Sequence, residues 1–115
     1  MVSSSDNPPS DQQSLYERYA VLGRDWAEKE AAASLLEDSK SAVMAQRQAM
    51  LGDMPINRAE QIVKASPDWT EYIEQTIAAR KAANLAKVEL EAMRMRFQEY
   101  MNIEANQRTE MRLMT

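Results

Sequence analysis

The side chains that could carry chemistry in this 115-residue chain are carboxylates and amines, because the sequence contains no histidine and no cysteine. Glu89 and Glu91 are two residues apart, and Glu37 and Asp38 are adjacent. On a helix, neither spacing brings two carboxylates to the same side. Metal-binding helical bundles combine glutamates with a Glu-x-x-His motif, which needs a histidine. We therefore predict a protein that is not an enzyme, with no catalytic residue, no cofactor and no metal ligand.

A row of cations is the second candidate site. Arg80, Lys87 and Arg94 are spaced by seven residues, so they share one side of a helix and lie about 10 Å apart, a spacing that can follow phosphate groups. The alternative is a solvated face, since Glu91 precedes Arg94 by three residues and can pair with it. Residues 71–115 contain equal numbers of acidic and basic residues. We therefore expect direct nucleic-acid binding to be weak.

Large apolar residues form the third candidate site, a surface for a protein partner. They follow one side of the second predicted long helix: Leu90, Met93, Phe97, Tyr100 and Met101. This face has more apolar surface than one partner helix should cover, so we predict a homodimer or a higher homo-oligomer. Trp69 has two interpretations: an anchor for a partner protein, or a residue that pins the turn between two helices.

Helix signals begin at Ser14, which is predicted to cap the first long helix with Glu17 as its capping-box partner. From there, apolar residues recur at helical spacing to about residue 51. The predicted packing stripe is Leu15, Leu22, Leu36, Val43 and Met50 at multiples of seven, with Tyr19, Trp26 and Ala33 beside them.

The segment that follows has its own stop and start signals. Gly52 is placed to end the first helix in the left-handed conformation, and Pro55 prevents simple continuation. Asn57 is predicted to cap a short helix that ends near Ala65.

Ser66 and Pro67 open the second long helix, which meets no helix-breaking residue before about Leu113. Its first half contains alanines suited to close packing: Ala78, Ala79, Ala82, Ala83 and Ala86. Two long helices joined by a compact elbow fold back on each other. The predicted fold is all-α: a long antiparallel helical hairpin, coiled-coil-like, with a short helix in the elbow, over residues 14–115.

Residues 1–13 consist mainly of Ser, Asp, Asn, Pro and Gln, and we predict a disordered tail. They contain no basic start followed by an apolar run, so no secretory signal is expected. No apolar stretch approaches the roughly 20 residues that span a bilayer. We predict a cytoplasmic protein with no membrane partner.

The chain also resembles a group of small helical proteins of tailed bacteriophages, over roughly residues 16–113. The shared features are the elbow Gly52-Asp53-Met54-Pro55, the core ARKAANLAKV at 79–88, and an ending related to IEANQRTEM at 103–111. In that ending, Arg108 stands where two basic residues are usual. The resemblance implies an accessory role in phage DNA recombination or replication, beside single-strand annealing proteins, in the bacterial host cell.

We therefore expect a non-enzymatic accessory protein that acts by contact with a phage or host protein. Three alternatives stay open. The chain could be a helical inhibitor of a host nuclease or defence complex, of the anti-CRISPR or anti-nuclease type. It could bind DNA directly and non-specifically, or it could be a virion or scaffold component.

Overall fold

A computed structural model describes residues 14–114, and within that range the backbone forms four α-helices and no strand. In chain order these are α1 (Leu15–Asp38), α2 (Lys40–Met50), α3 (Ile56–Lys64) and α4 (Pro67–Met114). The all-α prediction is confirmed for this part of the chain. The predicted disordered tail, residues 1–13, lies outside the described residues.

Backbone contacts divide the chain into two compact units. Among the described residues, the elbow unit comprises residues 27–85, and the terminal unit comprises residues 14–26 together with 86–114.

Local signals set several helix ends as predicted. The Ser14 Oγ accepts a hydrogen bond from the backbone N–H of Glu17 at 3.1 Å, and the Ser66 Oγ accepts one from the N–H of Trp69 at 3.2 Å. These are the bonds of serine N-caps. Gly52 follows α2 with a φ of 86°, the left-handed conformation predicted for it.

The first long helix is not continuous, which corrects the prediction of one helix to about residue 51. It is interrupted at Ser39, between α1 and α2. The Tyr72 hydroxyl donates a hydrogen bond to the carbonyl oxygen of Leu36, the acceptor that the Lys40 N–H would use in an unbroken helix. A side chain inserted into the helical hydrogen-bond ladder is an established cause of such breaks.

The start of α3 is also different, because Asn57 lies inside the helix and does not cap it. Pro55 occupies the N-cap position with φ −57° and ψ 141°, and no side chain caps the helix there. Its carbonyl oxygen accepts a hydrogen bond from the Ala59 N–H at 3.0 Å. The extended proline therefore directs the chain into α3 through its backbone.

The core of the elbow unit contains Val63, Trp69 and Tyr72, which are buried and packed together. The Trp69 and Tyr72 rings stack with centroids 5.5 Å apart, an arrangement worth about 0.5–1.5 kcal/mol beyond burial itself. Half-buried residues surround them: Leu36, Val43, Met44 and Ile73. Met50, predicted to belong to the packing stripe, is 81% exposed.

The alanine-rich part of α4 packs closely at fewer positions than predicted. Ala83 and Ala86 are buried, Ala79 and Ala82 are half-buried, and Ala78 is exposed. Close packing therefore uses one edge of the alanine stretch.

In the terminal unit, the beginning of α1 packs against the second half of α4. A Cβ atom built on Gly23 would lie 3.9 Å from the Cδ1 of Leu90, and Leu15 borders the same groove as Phe97. Lower residue numbers on α1 thus meet higher numbers on α4, so the two segments are antiparallel within this unit.

Candidate protein-interaction surface

Residues 86–114 of α4 hold the five apolar side chains that the sequence predicts as a partner-binding face. Leu90, Met93 and Phe97 are half-buried, whereas Tyr100 and Met101 are 49% and 46% exposed. The face is therefore divided between a part that packs on α1 and a part that reaches solvent.

Two grooves in the terminal unit show how α1 covers the first part. Met93 borders a groove of about 280 Å³ together with Arg18, Val21 and Leu22 of α1. Phe97 borders a second groove of about 340 Å³, which α1 residues also line. Part of the apolar surface predicted for a second copy of the chain is thus used inside the unit.

Tyr100 has a polar group at the tip of an otherwise apolar side chain. The Glu104 carboxylate, one helical turn further on, accepts a hydrogen bond from the Tyr100 hydroxyl, and its negative charge disfavours the phenolate. The pKa of Tyr100 is therefore raised above its usual value. The Tyr100 hydroxyl is therefore uncharged at physiological pH.

Trp69 is not part of this surface. Its side chain belongs to the elbow unit, is 6% exposed and stacks on Tyr72. A partner-binding anchor presents its ring to the partner, so this burial favours the other interpretation, in which Trp69 pins the start of α4.

Arg80, the first residue of the predicted cation row, is held by two carboxylates of α1. Its Nε and Nη2 donate hydrogen bonds to the two Glu37 carboxylate oxygens at 2.8 and 2.7 Å, and Nη1 donates one to Glu30 at 2.7 Å. These bonds lower the pKa of both glutamates and raise the pKa of Arg80. Bidentate pairing of this kind fixes the guanidinium, so Arg80 is directed at α1. Lys87 and Arg94, in the terminal unit, are exposed.

Sequence reasoning missed a second apolar row on α4. Val88 and Met95 are 64% and 59% exposed, and they lie on the opposite side of the helix from Leu90 and Phe97, because two residues correspond to about 200° of rotation. The sequence signal for this row was the separation of Val88 and Met95 by seven residues, which places them on the same side of a helix.

Two further properties limit the kinds of site. Within residues 14–114, no group of three or more His, Cys, Asp or Glu side chains is arranged to hold a metal ion. Over the same range, no helix combines the length and the apolar character needed to cross a bilayer.

Comparisons with protein-family models, curated proteins and solved structures gave no match.

Proposed function

We propose that the chain is a non-enzymatic accessory protein that acts by protein contact through residues 86–114 of α4. The apolar side chains exposed on this single helical segment support the proposal: Val88, Met95, Tyr100 and Met101 are between 46% and 64% exposed. Single exposed apolar residues are ordinary, but their concentration on one helical segment, with Val88 and Met95 one above the other on one side of it, favours an interaction surface.

The partner class that we propose is a protein of phage DNA recombination or replication, most directly a single-strand annealing protein in the bacterial cytoplasm. The resemblance of residues 52–55 and 79–88 to phage proteins supports this choice. Direct DNA binding is less well supported, because Arg80 is paired with Glu30 and Glu37.

We also propose that the chain is a helical hairpin that self-associates, with α1 and α2 as one arm, α4 as the other and α3 in the elbow. The antiparallel contacts within the terminal unit support the hairpin. Replacing Gly52 with Val, and Pro55 and Pro67 with Ala, should lengthen the small-angle scattering profile while helicity stays the same. An unchanged radius of gyration would argue against the hairpin.

The partner is tested by affinity capture from phage-infected cells, followed by mass spectrometry. The tagged wild-type chain is compared with a Val88→Glu/Met95→Glu variant, which places charge on the exposed apolar row. The matched control is Met50→Glu, because Met50 is also exposed but belongs to the elbow unit.

Capture of an annealing protein by the wild type and the control, but not by the double variant, is the expected result. A host nuclease or a capsid protein captured with the same dependence on Val88 and Met95 would replace the proposed partner class. Equal capture by all three proteins would contradict the assignment of this surface.

A further inference from the structure

A stripe of apolar residues continues along α4 beyond Phe97. It consists of Tyr100, Ile103, Gln107, Met111 and Met114, which fall within about 80° of the helix circumference and span about 21 Å. The four apolar members are 49%, 49%, 68% and 84% exposed in chain order. On this side of α4, exposure therefore rises from Ala86, at 4%, to these residues.

The spacing of this stripe is the same in both directions from Gln107. Ile103 and Met111 lie four residues before and after it, and Tyr100 and Met114 lie seven residues before and after it. A two-fold interface requires a surface that is complementary to itself. Suppose that a second copy lies antiparallel, with its Gln107 beside Gln107 of the first copy. Ile103 of each copy then meets Met111 of the other, and Tyr100 of each meets Met114 of the other. The two Gln107 side-chain amides can hydrogen-bond to each other.

The residue that precedes the stripe favours the antiparallel orientation. Arg96 lies on the same side of α4, four residues before Tyr100. In a parallel pair, Arg96 would face Arg96 of the second copy, with a repulsive contact in the line of the apolar side chains. In the antiparallel pair centred on Gln107, the two Arg96 residues lie about 33 Å apart along the helix axis, so they do not meet.

The charges beside the stripe suit the same arrangement. Glu104 and Arg108 lie on one flank. In an antiparallel pair, equivalent flanks meet, and Glu104 falls within about 3 Å of Arg108 of the second copy along the helix axis, at 1.5 Å per residue. Opposite charges therefore face each other across the contact. Residues 1–13 are a poorer occupant, since Ser, Asp, Asn, Pro and Gln dominate them.

We infer that two copies of this chain associate through residues 100–114 of α4, antiparallel and centred on Gln107. The inference rests on the self-association in the proposed function, and adds its surface and orientation. It leaves Val88 and Met95 outside the contact, on another side of the helix.

Disulfide mapping tests the inference, because the chain has no cysteine of its own. Gln107→Cys should form a disulfide-linked dimer on mild oxidation, since each copy brings the same residue to the two-fold axis. The matched control is Thr109→Cys, an exposed position two residues away on the other side of α4. Gln107→Cys should link about tenfold faster or more, because a paired site reacts at a raised effective concentration.

The orientation is read from two further variants. Tyr100→Cys and Met114→Cys should each link poorly alone, whereas a mixture of the two should give the mixed dimer, identified by a tag on one chain. Tyr100→Cys that links to itself as fast as Gln107→Cys would show a parallel pair and overturn the inference. Equal linking by Thr109→Cys would show random collision and would also overturn it.

Light scattering of the unmodified chain distinguishes a wrong contact surface from an absence of self-association. A dimer whose Gln107→Cys variant does not link would overturn the proposed surface alone. A monomer throughout the micromolar range would overturn both the surface and the self-association. The capture experiment with Val88→Glu/Met95→Glu tests the contact with another protein independently.

Discussion

The hydroxyl of Tyr72, on α4, donates a hydrogen bond to the backbone carbonyl of Leu36, and α1 ends two residues later, at Asp38. The bond joins residues 36 positions apart. It places a tertiary contact where an unbroken helix would have a backbone bond from Lys40. The break between α1 and α2 is therefore a consequence of packing in the elbow unit.

Replacing Tyr72 with Phe removes the hydroxyl and keeps the ring. We expect the free energy of unfolding to fall by about 1 kcal/mol, the usual net contribution of one hydrogen bond. The Leu36 carbonyl then becomes available to Lys40, so hydrogen exchange at the Lys40 amide should slow relative to its neighbours.

Urea denaturation and amide exchange measure the two effects. Tyr16→Phe is the matched control, because the Tyr16 side chain is 73% exposed and its hydroxyl should contribute little. If both variants unfold at the same urea concentration, the bond to Leu36 does not stabilise the fold.

The sequence predicted the features whose causes are local. The Ser66 cap and the left-handed Gly52 depend on residues within a few positions, so their signals could be recognised directly. The break at Ser39 depends on Tyr72, and the pairing of Arg80 depends on two glutamates 43 and 50 positions away. Such contacts are set by which helix faces meet, and one sequence does not specify that register.

The candidate surface was predictable to the same extent. Apolar spacing identified Leu90, Met93 and Phe97 as one side of a helix, and the structure places them together. The apolar spacing did not show how much of that side α1 covers. The part that α1 covers decides which apolar residues remain exposed, and it depends on where the start of α1, with Leu15, packs on α4.

The ion pairs of Arg80 predict how stability depends on pH. Hydrogen bonds from Arg80 hold the pKa of Glu30 and Glu37 below the ordinary value of 4.5. A carboxylate with a depressed pKa in the folded state stabilises the protein above its unfolded pKa, and this contribution is lost as pH falls through the folded value. The urea midpoint should therefore decrease as pH falls below about 4.5.

Arg80→Met should reduce that dependence, because both glutamates then titrate nearer their ordinary values. Urea midpoints at about pH 6 and about pH 3 measure the difference. Arg24→Met, at an exposed position of α1, is the control and should keep the wild-type pH dependence. Identical pH profiles for the wild type and Arg80→Met would show that the pairs make no contribution in solution.

The two glycines should respond to alanine with opposite signs. At Gly23, inside α1, the new Cβ would meet Leu90 at an ordinary 3.9 Å, so the gain in helix propensity should stabilise the chain by about 1 kcal/mol. At Gly52, no heavy atom lies within 4 Å, but φ is 86°. Alanine there should cost about 1–2 kcal/mol through backbone strain.

Thermal or urea unfolding of the two single variants provides the measurement, and each serves as the control for the other. Destabilisation by Gly23→Ala would show that α1 and α4 approach more closely in solution than the 3.9 Å separation allows.

Direct binding to single-stranded DNA should be weak. Arg80 is paired with Glu30 and Glu37, which leaves Lys87 and Arg94 as the exposed members of the cation row. Two phosphate contacts give little affinity, so the dissociation constant should lie in or above the non-specific range of about 10⁻⁴–10⁻⁶ M at physiological salt.

Fluorescence anisotropy with a labelled oligonucleotide measures this binding at several salt concentrations. Lys87→Glu/Arg94→Glu should weaken it only slightly, with a salt slope about 1.4 units smaller, since each phosphate contact on a single strand adds roughly 0.7 to the slope. The control is Arg24→Glu, an exposed cation of α1. Submicromolar binding by the wild type that the double variant loses and the control keeps would make DNA a direct ligand. The cation row of α4 would then be the functional site in place of the apolar surface.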